Sequence, residues 1–150
     1  MPGQRESVSS HLRAVNWRQL RRSRVFPGED CQLCVLREWL RGLLPAGMAR
    51  DDVIAVASEL GANAICHTAS GRGGQFSVAV TRTDSVVSVV VGDSGGPTEP
   101  KIINDPDENG RGLRLVRSLS LAVSVTGGES GRFVRADVAW TADRGSSPAN

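Results

Sequence analysis

The chain has 150 residues, of which 39% are hydrophobic, and its 18 basic and 16 acidic residues give a net charge of +2. These values predict one soluble globular domain with its own hydrophobic core. No apolar run reaches the length of a transmembrane helix, and the N-terminus lacks the apolar segment of a secretory signal, so we expect a cytoplasmic protein that does not span a membrane.

The first 20 residues are predicted to be a flexible, arginine-rich leader. Between Ser7 and Gly28 the sequence has no acidic residue, but it has five arginines: Arg13, Arg18, Arg21, Arg22 and Arg24. Such a segment is either a solvated leader or an arm that contacts nucleic acid or an acidic protein. We favour the solvated leader, and nucleic acid is therefore not an expected partner.

An extended segment at residues 23–26 is followed by two predicted helices. The first covers residues 29–44, where an amphipathic pattern ends before a Pro-Ala-Gly sequence. Asp51 or Asp52 is a suitable N-cap for the second helix, which we predict to reach His67. The apolar stripe of this second helix consists of Val53, Ala57, Leu60 and Ala64.

The first helix contains a CxxC pair, Cys31 and Cys34. This spacing occurs in redox-active and zinc-binding sequences, and Cys66 and His67 could in principle supply two more zinc ligands. Because no second CxxC is present and the pair falls in an amphipathic pattern, we interpret both cysteines as small apolar residues of the core or of an interface.

Glu59, Asn63 and His67 follow one another at intervals of four residues along the second helix, and they therefore share one of its faces. That face is turned away from the stripe through Leu60 and Ala64. An asparagine amide oxygen can supply one ligand to Mg²⁺, whose other ligands are commonly waters and phosphate oxygens. A glutamate one turn earlier could orient or deprotonate a nucleophile beside the metal. The alternative, a solvent-exposed polar face, stays open.

Residues 75–81 and 86–91 alternate apolar and polar side chains, which predicts two strands joined by a hairpin turn. Asp93 follows the second strand, shortly before Gly95 and Gly96. A carboxylate at this position can accept a hydrogen bond from the exocyclic amine of adenine, and glycines allow the base to lie against the backbone. The same sequence also fits an ordinary Asp-Ser-Gly turn.

Residues 94–109 form a polar stretch that we predict to act as a lid over a bound nucleotide. Gly110, Arg111 and Gly112 follow it, and a helical pattern starts near Gly112 with Leu113 as its first apolar residue. The backbone N–H groups at the N-terminus of such a helix can bind an anion, so this turn is a candidate phosphate site. Arg111 either contacts phosphate or pairs on the surface.

Two strands at residues 122–126 and 132–140 complete the predicted order β-α-α-β-β-α-β-β, and residues 141–150 are predicted to be a disordered tail. This order predicts an α/β sandwich, with a mixed, mostly antiparallel sheet and helices on one face. The folded domain is expected to span residues 21–140.

Three groups of residues together resemble the nucleotide-binding motifs of a known superfamily. Glu59-Leu-Gly-Ala-Asn63-Ala, Asp93-x-Gly95-Gly96 and Gly110-Arg111-Gly112-Leu113 are similar to the N, G1 and G2 boxes of the Bergerat-type (GHKL) ATPases. Residues 24–28, Arg37 and residues 131–136 are similar to the anti-sigma-factor serine/threonine kinases of the RsbW and SpoIIAB type. The sequence departs from those relatives at Gly61, where a bulky aliphatic residue is common, and at Arg132, where threonine or lysine is frequent.

The resemblance implies a Bergerat ATP-binding fold with ATP and Mg²⁺ as cofactors. Asn63 would hold Mg²⁺, Glu59 would activate the attacking hydroxyl, and Asp93 would read adenine. Gly95, Gly96 and the turn at residues 110–113 would contact the nucleotide. The resemblance further implies a homodimeric anti-sigma-factor kinase that sequesters a sigma factor and phosphorylates an anti-anti-sigma (STAS-type) partner on serine.

An alternative function needs no phosphoryl transfer. In this alternative, ATP orders the lid, the lid governs protein binding, and the chain is a nucleotide-gated regulator with little or no kinase activity. Loss of transfer with retained partner binding in a Glu59→Ala variant would favour the kinase.

Overall fold

The computed structural model describes residues 20–67, 73–94, 110–128 and 130–140. The elements in this part of the chain are β1 (Leu20–Pro27), α1 (Gln32–Leu43), α2 (Met48–His67), β2 (Gln75–Arg82), β3 (Val86–Asp93), α3 (Gly110–Leu119), β4 (Ala122–Gly128) and β5 (Gly131–Ala139). Their order is the predicted one. The predicted leader before Leu20, most of the predicted lid at residues 94–109 and the predicted tail at residues 141–150 lie outside the described residues.

The five strands form one sheet in the order β1-β2-β3-β5-β4. Every pairing between them is antiparallel, so the sheet of the described residues is antiparallel throughout rather than mixed. The predicted α/β sandwich is confirmed, because the helices pack on this sheet. Two hairpins, β2–β3 and β4–β5, produce this order, because β5 pairs with β3 on one side and with β4 on the other.

The helices cover one face of the sheet. Strand residues in the inward phase are buried, as the burial patterns of β2 and β3 show, and this explains the alternation seen in the sequence. α2 contacts β2, β3 and β5, whereas α1 and α3 contact α2 from its two sides and reach β1 and β4. At one end, the rings of Phe26 and Phe76 stack with centroids 5.3 Å apart. None of the helices in the described part of the chain combines the length and apolar character that a membrane span requires.

The other face of the sheet is open and carries a small polar network. Asp137 Oδ1 accepts hydrogen bonds from Ser88 Oγ at 2.6 Å and from Arg135 Nε at 3.0 Å, and an Arg135 terminal nitrogen donates to Ser88 Oγ at 3.3 Å. Burial by itself would raise the pKa of Asp137, but the hydrogen bonds from Ser88 and Arg135 and the charge of Arg135 outweigh burial and lower that pKa below its usual value.

The start of α2 differs from the prediction. We expected Asp51 or Asp52 as the N-cap, but the helix begins at Met48, and the Asp51 backbone N–H already donates to the Gly47 carbonyl at 3.2 Å. Gly47 has a φ of 149°, which L-residues with a side chain rarely adopt, so glycine is favoured at the residue that directly precedes the helix. Asp51 instead lies in the first turn, where its negative charge interacts favourably with the positive N-terminal end of the helix dipole.

The outer side of α1 also corrects one expectation. Cys31 and Cys34 are free and exposed, so their interpretation as core residues is wrong. α1 buries the stripe that contains Leu36 and Leu40, and the two cysteines lie outside that stripe. Leu36 is fully buried, and the Trp39 ring packs edge-on against Phe26 at a centroid distance of 5.7 Å.

Candidate functional site

The two flanks of α2 have different neighbours. On one flank, the Ser58 hydroxyl accepts a hydrogen bond from Arg37 Nε of α1 at 3.1 Å. At 100° per residue, Glu59 and Asn63 lie on the opposite flank. Because α1 occupies the first flank and the sheet lies beneath, α3 packs on the flank that carries Glu59 and Asn63. Both side chains are half-buried, so they border the space beside α3.

Gly61 belongs to the packing of α2 rather than to the space beside α3. A Cβ at this position would lie 3.1 Å from Leu33 Cδ2, 3.3 Å from Leu36 Cδ2 and 3.4 Å from Phe76 Cε2. The side chains of α1 and β2 therefore fill the volume that a larger residue would need.

Asp93 lies at the end of β3, in the inward phase of that strand, on the face that the helices cover. Gly92, the residue before Asp93, pairs with Ser77 of the antiparallel strand β2. The next residue along, Phe76, is therefore the neighbour of Asp93 on β2. Phe76 contacts the position of Gly61, so the end of β3 lies beneath the C-terminal half of α2. The structure thus brings Asp93 to the same end of the sandwich as Asn63.

Arg132 also lies at this end of the sandwich, although in the sequence it stands out only as a departure from relatives. It is 3% exposed and is the register partner of Asp93 on one side and of Gly127 on the other. Directly opposite residues in antiparallel strands have Cβ atoms ~4.5–5.5 Å apart on the same face. The side chain of Arg132, which carries a permanent charge, therefore starts next to that of Asp93, the predicted base-reading carboxylate, on the face that the helices cover.

A signal for Arg132 exists in the sequence. Residues 132, 134, 136 and 138 share one phase of β5, and the other three are valine or alanine. A charged residue in the inward phase of an apolar strand is unusual, since a buried charge is costly unless it is paired. Gly127 beside it has a φ of 91°, and a Cβ there would collide with the Gly131 carbonyl oxygen, so glycine is required for the close approach of β4.

The third predicted group forms the first turn of α3. This helix starts at Gly110, slightly before the predicted start, and no acidic residue occurs in its first turn. The first backbone N–H groups of a helix have no partner within it and favour an anion. Leu113 is 4% exposed and packs in the core, so only its backbone could contact a phosphate. Gly95, Gly96 and the side chains of His67 and Arg111 lie outside the described residues.

The described residues fit a nucleotide with one metal ion. They contain no group of three or more His, Cys, Asp or Glu side chains that could hold a metal by themselves. Mg²⁺ needs no such group, because one or two protein oxygens suffice when phosphates and waters complete its six ligands. The half-buried amide of Asn63, on the flank facing α3, supplies an oxygen of this kind.

Comparison with known proteins agrees with this arrangement. The sequence model of a family described as "Histidine kinase-like ATPase domain" matches residues 33–138, from the first turn of α1 to the end of β5. A search of curated proteins finds no significant match. Because the family match covers more than half of the chain, and the fold is the sandwich that the superfamily implies, the chain belongs to the histidine kinase-like ATPases of the GHKL superfamily, whose domains bind ATP, usually with Mg²⁺.

Proposed function

We propose that this protein is an ATP-dependent serine/threonine kinase of the anti-sigma type, which binds a sigma factor and phosphorylates an anti-anti-sigma (STAS-type) protein on serine. The observation that carries the proposal is the placement of Glu59 and Asn63 on the flank of α2 that faces α3, above the end of β3. Family membership supports the ATP-binding part. The motif resemblance at residues 24–28, at Arg37 and at residues 131–136 supports the anti-sigma part.

Each residue has a distinct role in this proposal. Asn63 supplies an oxygen ligand to Mg²⁺, and the first turn of α3 donates backbone N–H groups to phosphate. Asp93 accepts a hydrogen bond from adenine, and Arg132 beside it is a positioning residue that orients the carboxylate. Phosphoryl transfer depends mainly on such positioning and on charge neutralisation.

Glu59 acts on the attacking group in this proposal. It lies one helical turn before Asn63 on the same flank, so it can reach a hydroxyl placed beside the metal-bound phosphate. As general base it would accept the proton of the serine hydroxyl while the serine oxygen attacks the terminal phosphorus and ADP leaves. The Glu59 side chain is half-buried, which leaves one side accessible to an incoming serine.

A homodimer is part of the proposal. Its interface does not use Leu36, which is fully buried within the chain. Sedimentation of the full chain at several concentrations, with and without ATP, would measure the oligomeric state. A protein that stays monomeric at all concentrations would contradict this part and leave the nucleotide site untouched.

The first test is calorimetric titration of ATP in the presence and absence of Mg²⁺. We expect binding by the native chain that depends on Mg²⁺ and weakens at least tenfold in Asn63→Ala. Gln75→Ala is the matched control, because Gln75 is an exposed amide in the outward phase of β2. The absence of ATP binding by the native chain would refute the kinase proposal, and equal losses in both variants would refute the role of Asn63.

The second test separates a kinase from a nucleotide-gated binder. Phosphate incorporation into a panel of STAS-type proteins is measured with radiolabelled ATP, together with partner binding. We expect Glu59→Ala to abolish transfer and to preserve ATP and partner binding. Glu38→Ala is the control, because Glu38 is an exposed glutamate of α1 whose partner is Arg41. ATP-dependent partner binding by the native chain without any transfer would favour the nucleotide-gated alternative.

A further inference from the structure

The N-terminus of α1 carries two accessible thiols. Cys31 occupies the N-cap position with φ −62° and ψ −21°, and Cys34 follows three residues later in the helix. Both thiols are free and exposed. The Cys31 sulfur lies 3.6 Å from Glu29 Oε2, to which the thiol can donate a hydrogen bond. The burial that would make these cysteines inert packing residues is therefore missing.

The backbone that leads into α1 is wound tightly. The Gln32 N–H donates to the Glu29 carbonyl at 2.9 Å, and the Leu33 N–H donates to the Asp30 carbonyl at 3.1 Å. Both are hydrogen bonds between residues three apart, the pattern of a 3₁₀ turn, in which side chains at positions i and i+3 lie above one another. The two bonds close the turns 29–32 and 30–33, and the regular α-helix begins at Gln32, so Cys31 and Cys34 occupy positions i and i+3 of the first helical turn, on the same side of the helix.

The helical spacing of Cys31 and Cys34 places their sulfurs within reach of each other. A disulfide needs Cβ atoms ~3.5–4.5 Å apart, whereas positions i and i+3 of a regular α-helix have Cβ atoms ~5–6 Å apart. The first turn of α1 therefore has to tighten when the disulfide closes. That tightening is strain, and a strained, exposed disulfide is more easily reduced than a structural one.

We propose that Cys31 and Cys34 are a redox-active dithiol that forms a reversible disulfide within the first turn of α1. The oxidant is a low-molecular-weight disulfide such as oxidised glutathione. One cysteine thiolate attacks it, forms a mixed disulfide and releases one glutathione thiolate. The second cysteine thiolate then attacks the protein sulfur of the mixed disulfide and releases the second glutathione, so the dithiol loses two electrons and two protons.

The position of Cys31 and Cys34 allows their oxidation to affect the packing of α1 against α2. Leu33 lies inside the loop that the disulfide closes, and its Cδ2 atom lies 3.1 Å from the position of a Cβ at Gly61 on α2. The pair is therefore one packing contact away from the helix that carries Asn63. Among the described residues, no group of three His, Cys, Asp or Glu side chains gathers there to hold a metal instead.

Cys66 provides an internal control. It is also free and exposed, but it lies on α2 and has no cysteine three residues before or after it. It can form a mixed disulfide with glutathione, yet it has no resolving thiol in its own turn. All three cysteines are exposed, so serine substitutions at these positions are expected to leave the fold intact.

The test uses the full chain, reduced and then equilibrated in glutathione buffers of increasing oxidised fraction, with free thiols alkylated before mass spectrometry. We expect the native chain and Cys66→Ser to lose the mass of two hydrogen atoms at residues 31–34 and to regain it on reduction. Cys31→Ser and Cys34→Ser should carry glutathione adducts instead. Stable adducts at all three cysteines of the native chain, a disulfide that includes Cys66, or stoichiometric Zn²⁺ binding that blocks oxidation would each overturn the proposal.

Discussion

The sheet carries an aspartate and an arginine on each of its two faces, one set across β3 and β5 and the other along β5, and the two sets differ in their surroundings. On the helical face, Arg132 is 3% exposed and lies opposite Asp93. On the open face, Arg135 is more than half exposed and pairs with Asp137 along the same strand. Identical residue types are therefore placed once inside the packed layer and once at the solvent.

The difference indicates which charged residues of this fold are candidates for a functional role. An exposed ion pair is screened by water and contributes ~0–1 kcal/mol to stability. A buried arginine has lost its hydration, so it persists only where its surroundings compensate for the charge. The end of β3 is such a place, and it coincides with the predicted adenine-binding position of Asp93. The open-face pair lies along β5, shares hydrogen bonds with Ser88 of β3, and is on the face that the helices do not cover.

The largest expected effect is a difference in the free energy of unfolding between variants of Arg132 and of Arg135. Arg132→Leu should lower the free energy of unfolding by ~3 kcal/mol, because it removes the buried cation opposite Asp93. Arg135→Leu should lower it by less than ~1 kcal/mol, since that ion pair is exposed. Urea unfolding followed by circular dichroism measures both. Similar losses in the two variants would contradict the contrast between the faces.

A second prediction compares Gly61, in the helical layer, with Gly92, in the sheet. Gly61→Leu should destabilise the fold by ~2 kcal/mol, because two of the three side chains around Gly61, Leu36 and Phe76, are fully buried and cannot move aside. At Gly92, an added Cβ would lie 2.7 Å from Phe133 Cε1 and from Ser77 Oγ. Phe133 is 51% exposed and can rotate into solvent, so Gly92→Ala should cost only ~1 kcal/mol. Thermal denaturation of both variants tests the order, and a larger loss in Gly92→Ala would contradict it.

A third prediction concerns nucleotide affinity and depends on the proposed function. Arg132→Met should weaken ATP binding about tenfold, which corresponds to ~1.4 kcal/mol, because Asp93 is no longer oriented. Arg135→Met should leave the dissociation constant within about twofold, since the open face does not contact the site. Calorimetry is performed at a temperature where both variants are folded. Unchanged affinity in Arg132→Met would show that the arginine is structural only.

The smallest effect is the pH dependence of the open-face pair. The pKa of Asp137 is lowered in the folded state, so its contribution to stability is present above the ordinary aspartate pKa and is lost as the pH falls through the lowered value. Asp137→Asn should cost under ~1 kcal/mol near neutral pH, and its difference from the native chain should shrink below about pH 4. Urea unfolding at the two pH values measures this, and a difference that grows in acid would contradict the pKa direction.

Much of the fold followed from local patterns. The alternation in residues 75–81 and 86–91 predicted β2 and β3, and the glycine-rich turn before Leu113 predicted the start of α3 within two residues. The spacing of Glu59 and Asn63 placed both on one flank of α2, because helical periodicity is a property of the chain itself. The start of α2 was missed, since the cap rules favoured Asp51 while a positive-φ glycine acted four residues earlier.

The sequence by itself determined the order of elements, the phase of each strand and the family, because these depend on periodicity and on motifs of neighbouring residues. The tertiary structure decided which phase is covered by helices and by how much. Only there does Arg132 become a buried partner position for Asp93, and only there do Cys31 and Cys34 prove to be exposed. Burial depends on segments distant in the sequence, which no local pattern contains.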